Sequence, residues 1–220
     1  MKSGWNENQL KMVAVVTMVI DHVGYFLLPQ VVWLRWIGRL SFPIFAYFIA
    51  EGCYYTRNLR RYFGQMAALG LICMGAAAAF AGQIYGNILI TFALSVFLVG
   101  MLKLNALIGL LAMGPVLYLT MHMEIDYGFV GILIPVACWA VRVLLESRRP
   151  KAVRPAQLGA LAIGLLILAF QLAPYQWMGL FTIPLLALYN GERGEKNLKW
   201  FFYFFYPLHI LVIQVIAMIL

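Results

Sequence analysis

Charge is what this 220-residue chain has least of: Asp, Glu, Lys and Arg make up 11% of it, against 64% hydrophobic residues. Soluble domains carry roughly 25% charge, so a water-facing globular fold is excluded and a polytopic membrane protein is indicated. Acid is scarcer than base, with eight Asp and Glu against sixteen Lys and Arg. That surplus does not point to nucleic acid, because the cations stand in short loops between apolar runs, where they report orientation in a bilayer. Cysteine is rare and unpatterned. Cys53, Cys73 and Cys138 lie in apolar segments without metal-like spacing, so neither a disulfide framework nor a metal site is expected. Low-complexity stretches, internal repeats and a dividing linker are missing, so residues 1–220 read as one domain and the usual signature of an inverted-repeat transporter is lacking. The first apolar segment has no A-x-A-like cleavage site and is read as retained.

What the chain does have is apolar runs. Nine can be drawn, at about 10–28, 31–52, 62–81, 87–102, 104–121, 129–145, 156–173, 175–190 and 200–219, the fourth and fifth separated only by Lys103 and Asn105. With the N-terminus in the cytoplasm and alternating crossings, Arg35 and Arg39 alone of the sixteen cations, Lys2 included, fall outside. That asymmetry follows the positive-inside rule. The expected fold is therefore all-α: a membrane helix bundle of about nine transmembrane helices, N-terminus cytoplasmic and C-terminus on the outer side.

The first two runs hold the residues that need a reason. They carry Lys11, Asp21, His22, Arg35, Arg39 and Glu51, and a charged side chain at membrane depth costs at least ~2.5 kcal/mol. Lys11 and His22 are eleven positions apart, which returns them to within about 20° on one helical face and separates them by roughly 16 Å along the axis. Asp21 is about 100° away from His22 around the helix, so it is expected to pair with Arg39 across the interface rather than to orient its neighbour. Arg35 and Arg39 share a face, and Pro43 is expected to displace the carbonyl of Arg39. The same residues also fit a structural ion pair beside a hydrogen-bonded packing histidine.

Further candidates lie along the chain. Arg57, Arg60 and Arg61 suit the phosphates of a cytoplasmic cofactor, with Lys11 nearby, or serve only as topology determinants. Glu51 is expected to cap or to pair with these arginines. Asn87 and Thr91, at the start of the fourth run, are candidates to meet His22 at similar depth. His209, in FFYFFYPLHILVI, falls near the midplane.

Together, LKMVAVVTMVIDHVGYFLLP, LRWIGRLSFPIFAYFIAEGCYYTRN, NILITFAL, DYGFVGIL and the LYNGERG…FFYFFYPLHILVI ending resemble the TraX family, membrane proteins associated with acetylation of a conjugative pilin subunit. The Lys11-x10-His22 spacing also resembles the basic-x10-His signature of class-three integral membrane acyltransferases, with Lys where an arginine would offer a bidentate fork. The resemblance implies a bacterial inner-membrane, multi-pass acetyltransferase that uses acetyl-CoA as co-substrate. Lys11, Arg57, Arg60 and Arg61 would hold the coenzyme, His22 would act as base or carry the acetyl group, and Arg39, with Asn87, would stabilise the oxyanion. Asp21 would position Arg39 or set the His22 tautomer. The implied acceptor is a pilin-like protein or a cell-surface glycan. The competing class is a proton-coupled transporter or channel whose relay is Asp21, His22, Arg39 and Glu51. A structural subunit of a pilus assembly is the third.

Overall fold

The computed structural model describes residues 4–82 and 84–219; Lys2, one of the expected inner cations, lies outside them. The described residues are helical, with no strand beyond two isolated bridges, Trp5 with Tyr189 and Gly86 with Ile125. In chain order the helices are α1 (Glu7–Phe26), α2 (Val32–Gly38), α3 (Ser41–Tyr55), α4 (Leu59–Ala81), α5 (Ile88–Leu104), α6 (Ala106–His122), α7 (Gly128–Leu145), α8 (Val153–Gln171), α9 (Thr182–Ala187) and α10 (Lys199–Ile219). Two 3-10 segments, Pro150–Ala152 and Pro174–Phe181, precede α8 and α9.

Nine unbroken crossings were expected, and two of the runs are interrupted. The second divides into α2 and α3 because its backbone tightens: the amides of Arg39 and Leu40 reach back three residues, to Trp36 and Ile37. Pro43 then falls in the first turn of α3, where a missing N–H has no intrahelical partner to lose. Its expected effect, a kink within one helix, is thus a break between two. The eighth run is a 3-10 segment followed by the six-residue α9. Four stretches, Leu59–Ala79, Gly128–Leu145, Pro150–Gln171 and Trp200–Ile219, are helical, long and apolar enough to cross a membrane. The 17-residue α5 and α6 are shorter but also apolar.

Asparagine sets the helix starts. Asn6 and Gln9 exchange 2.9 Å bonds between side chain and backbone in a capping box on α1. Asn58 accepts from Arg61 N on α4, Asn87 from Leu89 N on α5, and Asn105 from Leu107 N on α6. Each such cap contributes about 1 kcal/mol. Asn105 has extended backbone (φ −162°, ψ 139°) and is at once the end of α5 and the start of α6. A single polar residue therefore separates two runs that composition barely divides.

The fold divides into two compact units, residues 1–48 with 165–220, and residues 49–164. In the first, α1 packs against α2 and α10. The start of α1 is held by the LYNGERGEK segment. Glu7 N and Asn8 N donate to the carbonyls of Glu192 and Arg193, and Asn8 Nδ2 donates to Lys196 O at 2.8 Å, satisfying amides that a helix N-terminus leaves without partners.

In the second unit α5 packs against α4, α6 and α7. Its polar centre joins the end of α3 to α7 and α8. Arg142 Nη1 donates to the two oxygens of Glu51 at 2.6 and 2.5 Å, and Nη2 donates to Tyr55 Oη at 2.6 Å. The guanidinium lies over the rings of Tyr54 and Tyr55, 4.5 and 4.9 Å from their centroids. Gln157, fully buried, donates to Glu51 Oε1 and to Cys138 O. Glu51 thus pairs with Arg142, not with the arginines of its own loop.

Removing one partner of a buried ion pair costs about 3–5 kcal/mol, because the other charge stays behind in apolar surroundings. Arg142→Met should therefore lower the thermal unfolding midpoint of the detergent-solubilised protein sharply. The double variant Glu51→Met/Arg142→Met should recover most of the loss; a double variant as unstable as Arg142→Met would show that the pair itself, not the stranded carboxylate, governs stability.

Candidate functional site

The first unit gathers five of the expected site residues, Asp21, His22, Arg35, Arg39 and His209, around the C-terminal half of α1. Asp21, buried, is shared between two guanidiniums: Arg35 Nη1 donates to Oδ2 at 2.7 Å and Arg39 Nη2 to Oδ1 at 2.5 Å. Arg35 Nη1 also reaches the Asp21 carbonyl at 3.3 Å. Arg39 Nε donates to Arg35 O at 3.2 Å, so the same side chain satisfies a carbonyl at the end of α2, where a cation is favoured. Each guanidinium faces an aromatic ring, Arg35 that of Tyr25 at 4.9 Å and Arg39 that of Tyr175 at 5.4 Å. One carboxylate between two guanidiniums leaves a formal charge of +1.

Glycine makes the approach possible. A Cβ on Gly38 would fall inside the van der Waals envelope of the Asp21 Cβ and carboxylate, and one on Gly24 would lie 2.7 Å from Leu34 Cβ. The α1–α2 contact is therefore closed by two missing side chains, and neither was singled out from the sequence. The only signal was their position, Gly38 directly before Arg39 and Gly24 two residues after His22.

His22 points elsewhere, as the 100° step from Asp21 requires. Its Nδ1 lies 2.7 Å from Nε2 of His209 on α10, and His209 Nδ1 lies 2.8 Å from the Phe205 carbonyl. The two imidazole centroids are 4.9 Å apart. His209 is buried and stacks on Phe205 at 5.1 Å with an interplanar angle of 11°. Phe26 and Tyr206 complete the ring lining of His22, at 6.2 and 6.4 Å. The α10 histidine and the α1 histidine, 187 residues apart, form one pair.

Other candidates are placed differently. Lys11 is bound to Glu7 at 2.5 Å, one turn back on α1, and lies over the rings of Phe48 and Phe202. Arg57, Arg60 and Arg61 are exposed at the start of α4. Asn87 is buried and committed within the second unit, capping α5 and donating to Gly70 O at 2.8 Å. Thr91 donates to Asp126 O at 2.7 Å. Their polar groups hold backbone there.

Overpacking a tight contact costs about 1–3 kcal/mol. Gly38→Ala should destabilise the protein by that order and, by forcing α2 away from α1, loosen both arginines from Asp21. Gly100→Ala is the control, since an added Cβ there meets nothing within 4 Å. Thermal unfolding of the two variants in detergent checks this: equal midpoints would mean that the α1–α2 contact has room for a Cβ at position 38.

The model of the TraX family (TraX protein) matches residues 6–217. Over 68 residues the chain is 35% identical to the probable fimbrial assembly protein FimC, serogroup H1, of Dichelobacter nodosus, a match covering 29% of this chain and 28% of that protein. Over 48 residues it is 40% identical to an uncharacterized protein of Rickettsia prowazekii (strain Madrid E), covering 22% and 19% of the two chains. The matched stretches thus span less than a third of either relative. No solved structure matches. With the family model covering nearly all of its length, the chain belongs to the TraX family.

Proposed function

We propose that this protein is an integral acetyltransferase of the bacterial inner membrane, its N-terminus cytoplasmic, and that His22 is the base at its centre. One observation carries the reading: on adjacent positions of α1, an imidazole stands next to a carboxylate fixed between two guanidiniums. Intramembrane ionisable clusters of this kind mark functional sites, because each charge there is costly unless used or paired. In the proposed reaction an acceptor amine or hydroxyl attacks the acetyl carbonyl. Its proton passes to His22, the carbon–sulfur bond breaks, and the coenzyme thiolate leaves to take up a proton. A two-step route with an acetyl-His22 intermediate uses the same ring as nucleophile. Arg39, held in place by Asp21, supplies the positive charge that meets the developing oxyanion, with Arg35 beside it.

Acetyl-CoA is the proposed donor. Arg60 and Arg61 are exposed in the first turn of a 23-residue helix and Arg57 is exposed just before its cap, where side-chain cations and backbone N–H groups both favour phosphate. Lys11, on the helix of His22, is proposed for the same role on its own unit, exchanging the Glu7 carboxylate for a coenzyme phosphate. The proposed acceptor is a pilin-like protein, which the partial likeness to a fimbrial assembly protein supports; a surface glycan offers the same nucleophile chemistry. Bonding of Glu51 to Arg142 and Gln157 within the second unit weighs against its part in a proton relay.

The test uses purified full-length protein in liposomes with radiolabelled acetyl-CoA and a peptide bearing a free amino terminus. Label should reach the peptide or the protein, should be lost in His22→Ala by roughly 10²-fold or more, and should fall in Arg39→Ala. Coenzyme release that survives His22→Ala would move the chemistry to another residue. Folded protein that neither binds nor turns over acetyl-CoA would exclude acetyl transfer.

A further inference from the structure

We infer that His209 is the positioning residue of His22: it accepts a hydrogen bond that keeps the His22 proton on Nδ1 and leaves the Nε2 lone pair as the working base. The inference rests on the acetyl-transfer reading for its consequence, but not for its geometry. A carbonyl oxygen has only lone pairs, so the 2.8 Å contact with Phe205 O requires that His209 Nδ1 carry the hydrogen. A neutral imidazole has one N–H, so His209 Nε2 is then bare and accepts. His22 Nδ1, 2.7 Å from it, must be the donor; two bare nitrogens at that distance would repel. The last free nitrogen of the chain is His22 Nε2, unprotonated.

The neutral form of both rings follows from their surroundings. Asp21, the acid nearest in sequence, is taken up by Arg35 and Arg39, and neither imidazole has a carboxylate within ion-pair distance among the described residues. An imidazolium there would be a charge among aromatic rings without a counter-charge, beside a cluster already at +1.

The packing makes His209 a fixed support. Its ring stacks on Phe205 one turn below and meets Tyr206 edge-on at 5.6 Å. When His22 Nε2 takes the acceptor's proton, the ring becomes cationic and its Nδ1–H bond to His209 becomes charge-assisted, hence shorter and stronger. His209 thereby fills the orienting place that a carboxylate takes in other base–orienter pairs, without adding a negative charge that would neutralise the guanidiniums.

The chain has three histidines, so side-chain ¹⁵N NMR of histidine-labelled protein in nanodiscs can assign each ring, with His122→Gln removing the third. His22 should report the Nδ1–H tautomer, the minor form of free histidine. In His209→Phe, which keeps the stack on Phe205, His22 should shift towards the ordinary Nε2–H form. His209→Gln, whose amide oxygen can accept from His22, should restore Nδ1–H. In the acetyl-transfer assay, kcat should fall roughly 10–100-fold in His209→Phe, recover in part in His209→Gln, and KM for acetyl-CoA should hold. An Nε2–H His22 in the wild type, or a His22 signal indifferent to His209→Phe, would overturn the inference. The NMR readout needs no turnover, so a protein that binds no acetyl-CoA yet shows the Nδ1–H tautomer would sink the enzymatic reading alone.

Discussion

The sharing of one carboxylate by two guanidiniums is the constraint on which the first unit depends. Asp21 cannot sit unpaired on an apolar helix, and a single partner would leave one of its oxygens poorly satisfied. Arg35 and Arg39, one turn apart on α2, take one oxygen each. For that, α2 must lie so close to α1 that no Cβ fits at positions 24 and 38. It must also end where it does, since Arg39 is both an ion-pair partner and the side chain that closes the end of α2. The break after Arg39, the two glycines and the ion triad are one feature seen at three levels.

The second unit obeys the same rule with a different outcome. Glu51 receives two bonds from Arg142 and one from Gln157, and Arg142 spends its other terminal nitrogen on Tyr55. Such a network, in which both carboxylate oxygens and both terminal guanidinium nitrogens have partners, ties three helices together and fixes their register. The histidine pair differs in kind. Its hydrogen bonds run in one direction, from His22 through His209 to the Phe205 carbonyl, and such a chain ends in a nitrogen with nothing to donate. That contrast, more than burial, separates a cluster suited to structure from one suited to proton transfer.

Much of this was legible in order along the chain. Apolar runs gave the helices, Asn105 gave the division of α5 from α6, and the step of one residue from Asp21 to His22 already sent the carboxylate and the imidazole to different neighbours. Pro43 signalled an irregularity, but a proline in a helix interior and one in a first turn look alike until the preceding residues are seen to tighten. The likeness of LYNGERG to a family ending said nothing of its task, which is to cap α1. Glu51 was assigned to the nearest arginines in sequence, whereas its partner stands 91 residues away.

The sequence by itself determined that the chain is helical and apolar, that its few charges are too costly to be idle, and that α1 carries the imidazole at a fixed offset from the acid. Those conclusions need only periodicity and the price of burying charge. The tertiary structure alone decided that Arg35 joins Arg39 on Asp21, that His209 is the partner of His22, and that Glu51 belongs to Arg142. Pairings between distant residues depend on which helices become neighbours, and a linear pattern of apolar faces does not encode that choice.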